Sequence, residues 1–216
     1  MRLFVSSYRA GSYPKKLVEL FGKNTKLAVI TNAKDYKTSQ ERKIKVGEIL
    51  EFFSNLGLKP DEIDLRQYFD DSSGLKERLR GYTSIWLAGG NTFLLRRALR
   101  QSGLEPLLSD WVRKNEVVLG GDSAGAVIVG PTLKGAENES DPEDDPYFKA
   151  DGYSHDVIWE GLDYINYVPV PHYKSADYGP IIDKYIKDLE RQRVPYKTMT
   201  DDQAIIINGD KEEFLK

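Results

Sequence analysis

The sequence predicts a doubly wound α/β fold built on a mostly parallel sheet. Three observations carry the prediction. Short continuous apolar runs, Leu27-Ala28-Val29-Ile30 and Ile85-Trp86-Leu87-Ala88 among them, read as strands buried on both faces, as strands of parallel sheets are. Stretches of helical period lie between such runs, so strands and helices alternate as far as Gly130. Glycine pairs follow or close two of the runs, Gly89-Gly90 and Gly120-Gly121, at the strand ends where these sheets bind ligands.

Taken in order, Arg2 to Ser6 reads as a strand and Tyr13 to Phe21 as a helix closed by Gly22. Lys26 to Thr31 is the first buried strand. Thr38 and Glu41 have the spacing of a capping box. The helix they open sets Val46, Ile49, Leu50, Phe53 and Leu56 on one face and stops at Gly57. Glu62 to Tyr68 alternates as a strand does, and a short helix around Leu75 to Leu79 leads to the strand Ile85 to Ala88. Asn91 is placed to cap a helix Thr92 to Gln101 that ends at Gly103. A helix from Glu105 to Lys114 then feeds a strand Glu116 to Leu119, and Ala124 to Val129 opens another helix. Beyond Gly130 the segment Glu137 to Asp145 is acidic and bounded by prolines. It reads as a solvated loop with no EF-hand spacing, or as a flap over the crevice. Tyr167 to Pro171 is a strand with His172 just past its end, and Asp177 to Arg191 is an amphipathic helix. Tyr196 to Thr200 and Ala204 to Asn208 are strands flanking Asp201-Asp202-Gln203.

The 216 residues fit one domain, 1–216, with a core that needs no staples. A net charge of -3 gives no support for a nucleic-acid or anionic-membrane partner. The absence of cysteine excludes disulfides, thiolate metal sites and a cysteine nucleophile. Two histidines, His155 and His172, are too few for a multi-histidine metal site, so no metal and no cofactor is expected. The N-terminus has no signal pattern and no apolar run is long enough to span a bilayer. A cytoplasmic protein without a membrane partner is therefore the expectation, with oligomeric state left open.

Gly121-Asp122-Ser123-Ala124-Gly125 fits G-x-S-x-G, the pattern of a nucleophile elbow between a strand and a helix. Composition alone gives ~0.1 accidental matches in a chain of this size, and the strand–turn–helix setting adds to the signal. The competing reading makes Ser123 a helix N-cap. A serine hydroxyl needs a base. His172, at a strand end, is better placed than His155, which lies in the polar run Tyr153-Ser154-His155-Asp156. The carboxylate that would orient the base lies either at Asp201-Asp202 or among the acidic residues before His172. Oxyanion donors are expected from the N–H groups of Ala124, after the serine, and Gly90. Gly89-Gly90-Asn91-Thr92 could alternatively hold a small anion at a helix N-terminus, although it lacks a Walker lysine.

Leu87-Ala88-Gly89-Gly90-Asn91-Thr92-Phe93, Gly121-Asp122-Ser123-Ala124-Gly125-Ala126 and Pro171-His172 together resemble the peptidase E (aspartyl dipeptidase) and cyanophycinase family of serine peptidases. The resemblance implies a flavodoxin-like sheet related to class I glutamine amidotransferase domains, with serine in place of their cysteine. It implies hydrolysis of short peptides or isopeptides through an acyl-enzyme. Ser123 would be nucleophile, His172 base, and Gly90 and Ala124 oxyanion donors, with Asn91 at the substrate. Asp201 would be the third member of the triad and Asp202 its reserve; the family typically has glutamate there. Aspartyl dipeptidases carry an arginine-containing segment soon after the histidine. Here the segment is Tyr173-Lys174-Ser175-Ala176-Asp177-Tyr178-Gly179, whose single cation, Lys174, argues against strict aspartyl specificity. An esterase or amidase, or a small-ligand binding module without activity, is the alternative.

Overall fold

The computed structural model describes residues 1–216. Its first half runs β1 (Arg2–Ser6), α1 (Pro14–Phe21), β2 (Lys26–Ile30), α2 (Ser39–Asn55), β3 (Lys59–Glu62), α3 (Ser72–Arg78), β4 (Ser84–Leu87), α4 (Thr92–Gln101) and α5 (Leu104–Arg113). The second half runs β5 (Val118–Asp122), α6 (Ala124–Val127), β6 (Val168–Val170), α7 (Gly179–Gln192), β7 (Tyr196–Thr198), β8 (Ala204–Asn208) and β9 (Lys211–Leu215). Seven strands form one sheet in the order β3-β2-β4-β5-β1-β8-β9. The first five positions are parallel; β8 and β9 close the edge as an antiparallel hairpin. β6 and β7 form a separate parallel pair.

The apolar runs are buried on both faces, as their lack of alternation requires. On one face α1 and α2 cover Phe4, Phe21, Phe53 and Trp86, whose rings meet at centroid distances of 5.0–6.2 Å. Gly120 makes room for this cluster, since a Cβ there would lie 2.4 Å from the Trp86 ring. On the other face α3 to α6 bury Leu75, Leu94, Leu99, Leu108 and Ala126. The capping box of α2 forms as expected: the Glu41 carboxylate accepts from Thr38 N–H at 3.0 Å, and Thr38 Oγ accepts from Glu41 N–H.

Two expectations are corrected. Glu62 to Tyr68 is not a strand. Pro60 has no N–H and confines β3 to the sheet edge, and Asp64 accepts from Arg66 N–H at 3.1 Å to start a tight 3-10 turn, Leu65–Tyr68. Its alternation reflects Ile63 and Leu65 buried around that turn. The elbow strand extends through Asp122 rather than stopping at Leu119, because Gly120 and Gly121 pair with β1 and β4. Beyond these, Lys211–Leu215 forms a strand outside those expected, its charged residues having concealed it.

Between α6 and β6 the chain has little regular structure, and two buried arginines on α4 pin it to the sheet. Arg96 is held by Glu105 at 2.6 and 2.7 Å and donates to Glu160 O at 2.8 Å. Arg97 donates to Phe148 O and Ser154 O, both at 2.8 Å.

Candidate active site

The ends of β4, β5 and β1 are neighbours, so the turns that follow them share one crevice. In the β5 turn Ser123 adopts φ 50° and ψ −113°, left-handed backbone that a serine rarely takes. Its N–H is shared by Ser6 O and Ser7 O at 3.2 and 3.1 Å. The turn closes only because its flanks are small. A Cβ on Gly125 would lie 1.9 Å from Leu87 O, and one on Gly121 2.5 Å from Gly125 O. The Ser123 side chain does not cap α6, which leaves its hydroxyl for another partner.

That partner is His172, whose Nε2 is 2.9 Å from Ser123 Oγ. β6 and β7 run parallel and end side by side, which sets His172, after β6, beside the Thr200–Gln203 turn after β7. Asp201 Oδ1 lies 2.7 Å from His172 Nδ1. A carboxylate can only accept, so Nδ1 carries the proton and Nε2 is left to accept from the serine hydroxyl. Aspartate is long enough here because the next strand, β8, pairs Ala204 with Ser6 and draws the turn against the end of β1. Ser7 completes the arrangement: its hydroxyl donates to Asp201 Oδ1 and accepts from His172 N–H, each at 2.7 Å. Tyr178 stacks on the imidazole at 4.8 Å and 28°. Asp202 turns away to Thr200, and His155 is exposed in its loop.

Gly90 and Ala124 line the crevice beside Ser123 and His172, and neither N–H has an acceptor within the protein. Gly90 sits at φ 136°, where an added Cβ would be 2.4 Å from Ala33 O. The Gly89-Gly90 peptide is pinned from behind, since Lys34 Nζ donates to Gly89 O at 2.8 Å. In a trans peptide the N–H opposes the C=O, so this contact turns the Gly90 N–H away from Lys34. Burial lowers the Lys34 pKa against the opposing pull of Asp122, and burial raises that of Asp122. Asp122 is held by Trp86 Nε1 at 2.8 Å and Arg9 N–H at 3.3 Å.

Asn91, expected at the substrate, lies behind the crevice as a structural anchor. It is fully buried, accepts from Leu94 N–H at 2.8 Å as the cap of α4, and donates to Pro142 O and Asp145 O at 2.7 and 2.9 Å. It thereby anchors the acidic loop, which is not simply solvated: Glu143 and Asp144 line the crevice. Burial, with Glu143 and Asp141 nearby, pushes the Asp144 carboxyl up to about 7. Sequence reasoning missed Ser7, Lys34 and Tyr178. Ser7 alone left a signal, as a polar residue at the carboxyl end of a central strand. No three His, Asp or Glu side chains converge to hold a metal ion, and no helix is long and apolar enough to cross a membrane.

The chain is similar to proteins known as peptidases. The chain is 25% identical over 162 residues to an uncharacterized peptidase of Listeria monocytogenes, covering 75% of this chain and 73% of the relative. It is 24% identical over 171 residues to an uncharacterized peptidase of Pasteurella multocida, covering 79% and 77%. Its fold matches the crystal structure of a candidate peptidase E protein from Listeria monocytogenes with a TM-score of 0.77. The identity is 22%, over 100% of this chain and 98% of that one. A peptidase from an acI-B1 actinobacterium superposes with a TM-score of 0.68 at 16% identity, over 100% and 90%. These likenesses fit the flavodoxin-like, class I glutamine amidotransferase-like sheet. The model of peptidase family S51 matches residues 9–215, so the chain belongs to peptidase family S51, the peptidase E family, and is a serine peptidase.

Proposed function

We propose that residues 1–216 act as a single unit that hydrolyses short peptides, dipeptides among them, through an acyl-enzyme on a Ser123-His172-Asp201 triad. The observation that carries this reading is the unbroken series Ser123 Oγ, His172 Nε2, His172 Nδ1, Asp201 Oδ1, with contacts of 2.9 and 2.7 Å. His172 Nε2 takes the serine proton as Oγ attacks the scissile carbonyl carbon. The carbonyl oxygen becomes an oxyanion held by the Gly90 and Ala124 N–H groups, which have no other acceptor. Asp201 accepts from Nδ1–H and stabilises the imidazolium. The tetrahedral species then collapses: Nε2–H protonates the departing amine, the C–N bond breaks, and an ester to Ser123 remains. Water, deprotonated by Nε2, attacks that ester; the second tetrahedral species releases the acid and returns the proton to Ser123.

A dipeptide and tripeptide library, assayed with the wild type and Ser123→Ala in parallel, tests this. The expected result is hydrolysis by the wild type and a loss of ~10⁴-fold or more in the variant. Equal hydrolysis by both would refute the reading.

A further inference from the structure

The crevice beside Ser123 is lined by carboxylates and by no cation of its own. Glu143 and Asp144 both line it, and no lysine or arginine does. Asp144 is surrounded by burial and by two further carboxylates, Glu143 and Asp141. Glu143 also borders a neighbouring cleft whose cations are Arg9, Lys34, Lys37 and Lys45, and of these the Lys34 ammonium is bound to Gly89 O. Lys174 holds its ammonium over the Tyr173 ring, outside the crevice. The two carboxylates are fixed in place, since Asn91 clamps the backbone on either side of them at Pro142 and Asp145.

Val127, Ala136, Ile181 and Ile182 make an apolar part of the wall. Tyr185 lines it as well, 3% exposed, with a hydroxyl that has no hydrogen-bond partner. A buried hydroxyl left unpaired costs about 1–3 kcal/mol, so a ligand that reaches it gains by doing so. Apolar walls, paired carboxylates and a free hydroxyl suit a methylene chain with a cationic head. A bare α-ammonium would leave the apolar wall without a partner.

We propose that this crevice selects peptides with a lysine or arginine side chain on the residue whose carbonyl Ser123 attacks, with Glu143 and Asp144 as its counter-charges. The inference rests on the serine peptidase reading for the position of the scissile bond. It sets the protein apart from a peptidase selecting aspartyl residues, whose charge these carboxylates repel.

The test compares Lys-Ala, Arg-Ala, Asp-Ala and norleucyl-alanine, the last an uncharged match for lysine with the same free amino end. Wild type should hydrolyse Lys-Ala or Arg-Ala with a kcat/KM at least ~10-fold above norleucyl-alanine, and Asp-Ala least well. In the double variant Glu143→Gln, Asp144→Asn, which removes charge without changing volume, that ratio should fall to about one. Calorimetric binding of the same peptides to Ser123→Ala provides a second readout. A wild type that cleaves Lys-Ala and norleucyl-alanine alike, or a double variant that keeps the preference, overturns the inference and leaves the peptidase reading intact. Binding of Lys-Ala at least ~10-fold tighter than norleucyl-alanine, without any hydrolysis by the wild type, sustains the crevice's preference for a basic side chain and overturns that reading. Neither hydrolysis nor binding overturns both.

Discussion

His172 Nδ1 and Asp201 Oδ1 lie 2.7 Å apart, although the two residues are separated by a helix and a strand. The contact exists because β6 and β7 end together, and because β8 returns along β1 immediately after the aspartate. Ser7 at the end of β1 bonds both partners. If Asp201 orients the imidazole, Asp201→Asn presents an amide that disfavours the required tautomer. We expect kcat to fall by ~10²–10⁴ with KM within about threefold, read by steady-state kinetics on any cleaved peptide. A kcat within a few fold of wild type would remove Asp201 from the mechanism.

In the proposed mechanism Lys34 acts through a backbone. Its ammonium holds Gly89 O and so aims the Gly90 N–H. In Lys34→Met the peptide loses this hold while its Ala33 neighbourhood remains. A reduction of ~10–10² in kcat, with little change in KM, is expected from a weakened oxyanion donor. An equal loss in both parameters would point to general disorder of the site instead.

Gly125 is expected to be intolerant of even a methyl group, because the new carbon would meet the Leu87 carbonyl at 1.9 Å. Backbone cannot yield as a flexible side chain does. Gly125→Ala should cost about 3 kcal/mol or more, seen as a shifted denaturation midpoint, or prevent folding. A variant as stable as wild type would show that the turn is looser than described.

The sequence revealed the parts of this molecule governed by local pattern. Continuous apolar runs marked the buried strands, the capping box of Thr38 and Glu41 marked the start of α2, and small residues around Ser123 marked a crowded turn. Residues acting at long range were hidden. Ser7 reaches His172 only because β1 and β8 pair, and Lys34 reaches Gly89 only because β2 and β4 do. Asn91 was legible as a cap through its position before α4. Its bonds to Pro142 and Asp145, fixed by tertiary packing, were not. The acidic loop was read as solvated or as a flap over the crevice, and only the fold decides that two of its carboxylates line the crevice.

Asp144 should leave a signature in the pH dependence of stability. Its carboxyl is raised from the ordinary 3.8 to about 7 in the folded chain, by burial and by Glu143 and Asp141. The folded state therefore holds this proton more tightly than the unfolded chain. Its contribution to stability is fully present below about pH 4 and is lost as pH rises through about 7. Asp144→Asn should remove that loss, so its Tm should exceed that of wild type by a margin that grows between pH 4 and pH 8. A margin constant across that window would contradict the assignment.

The central claim is that Ser123 becomes an attacking oxygen because His172 takes its proton. Treatment with a fluorophosphonate, followed by intact mass and peptide mapping, tests this directly. The account predicts one adduct, located on Ser123, absent in Ser123→Ala and strongly slowed in His172→Ala. An adduct on another serine, or labelling of Ser123 at an undiminished rate without His172, would contradict it.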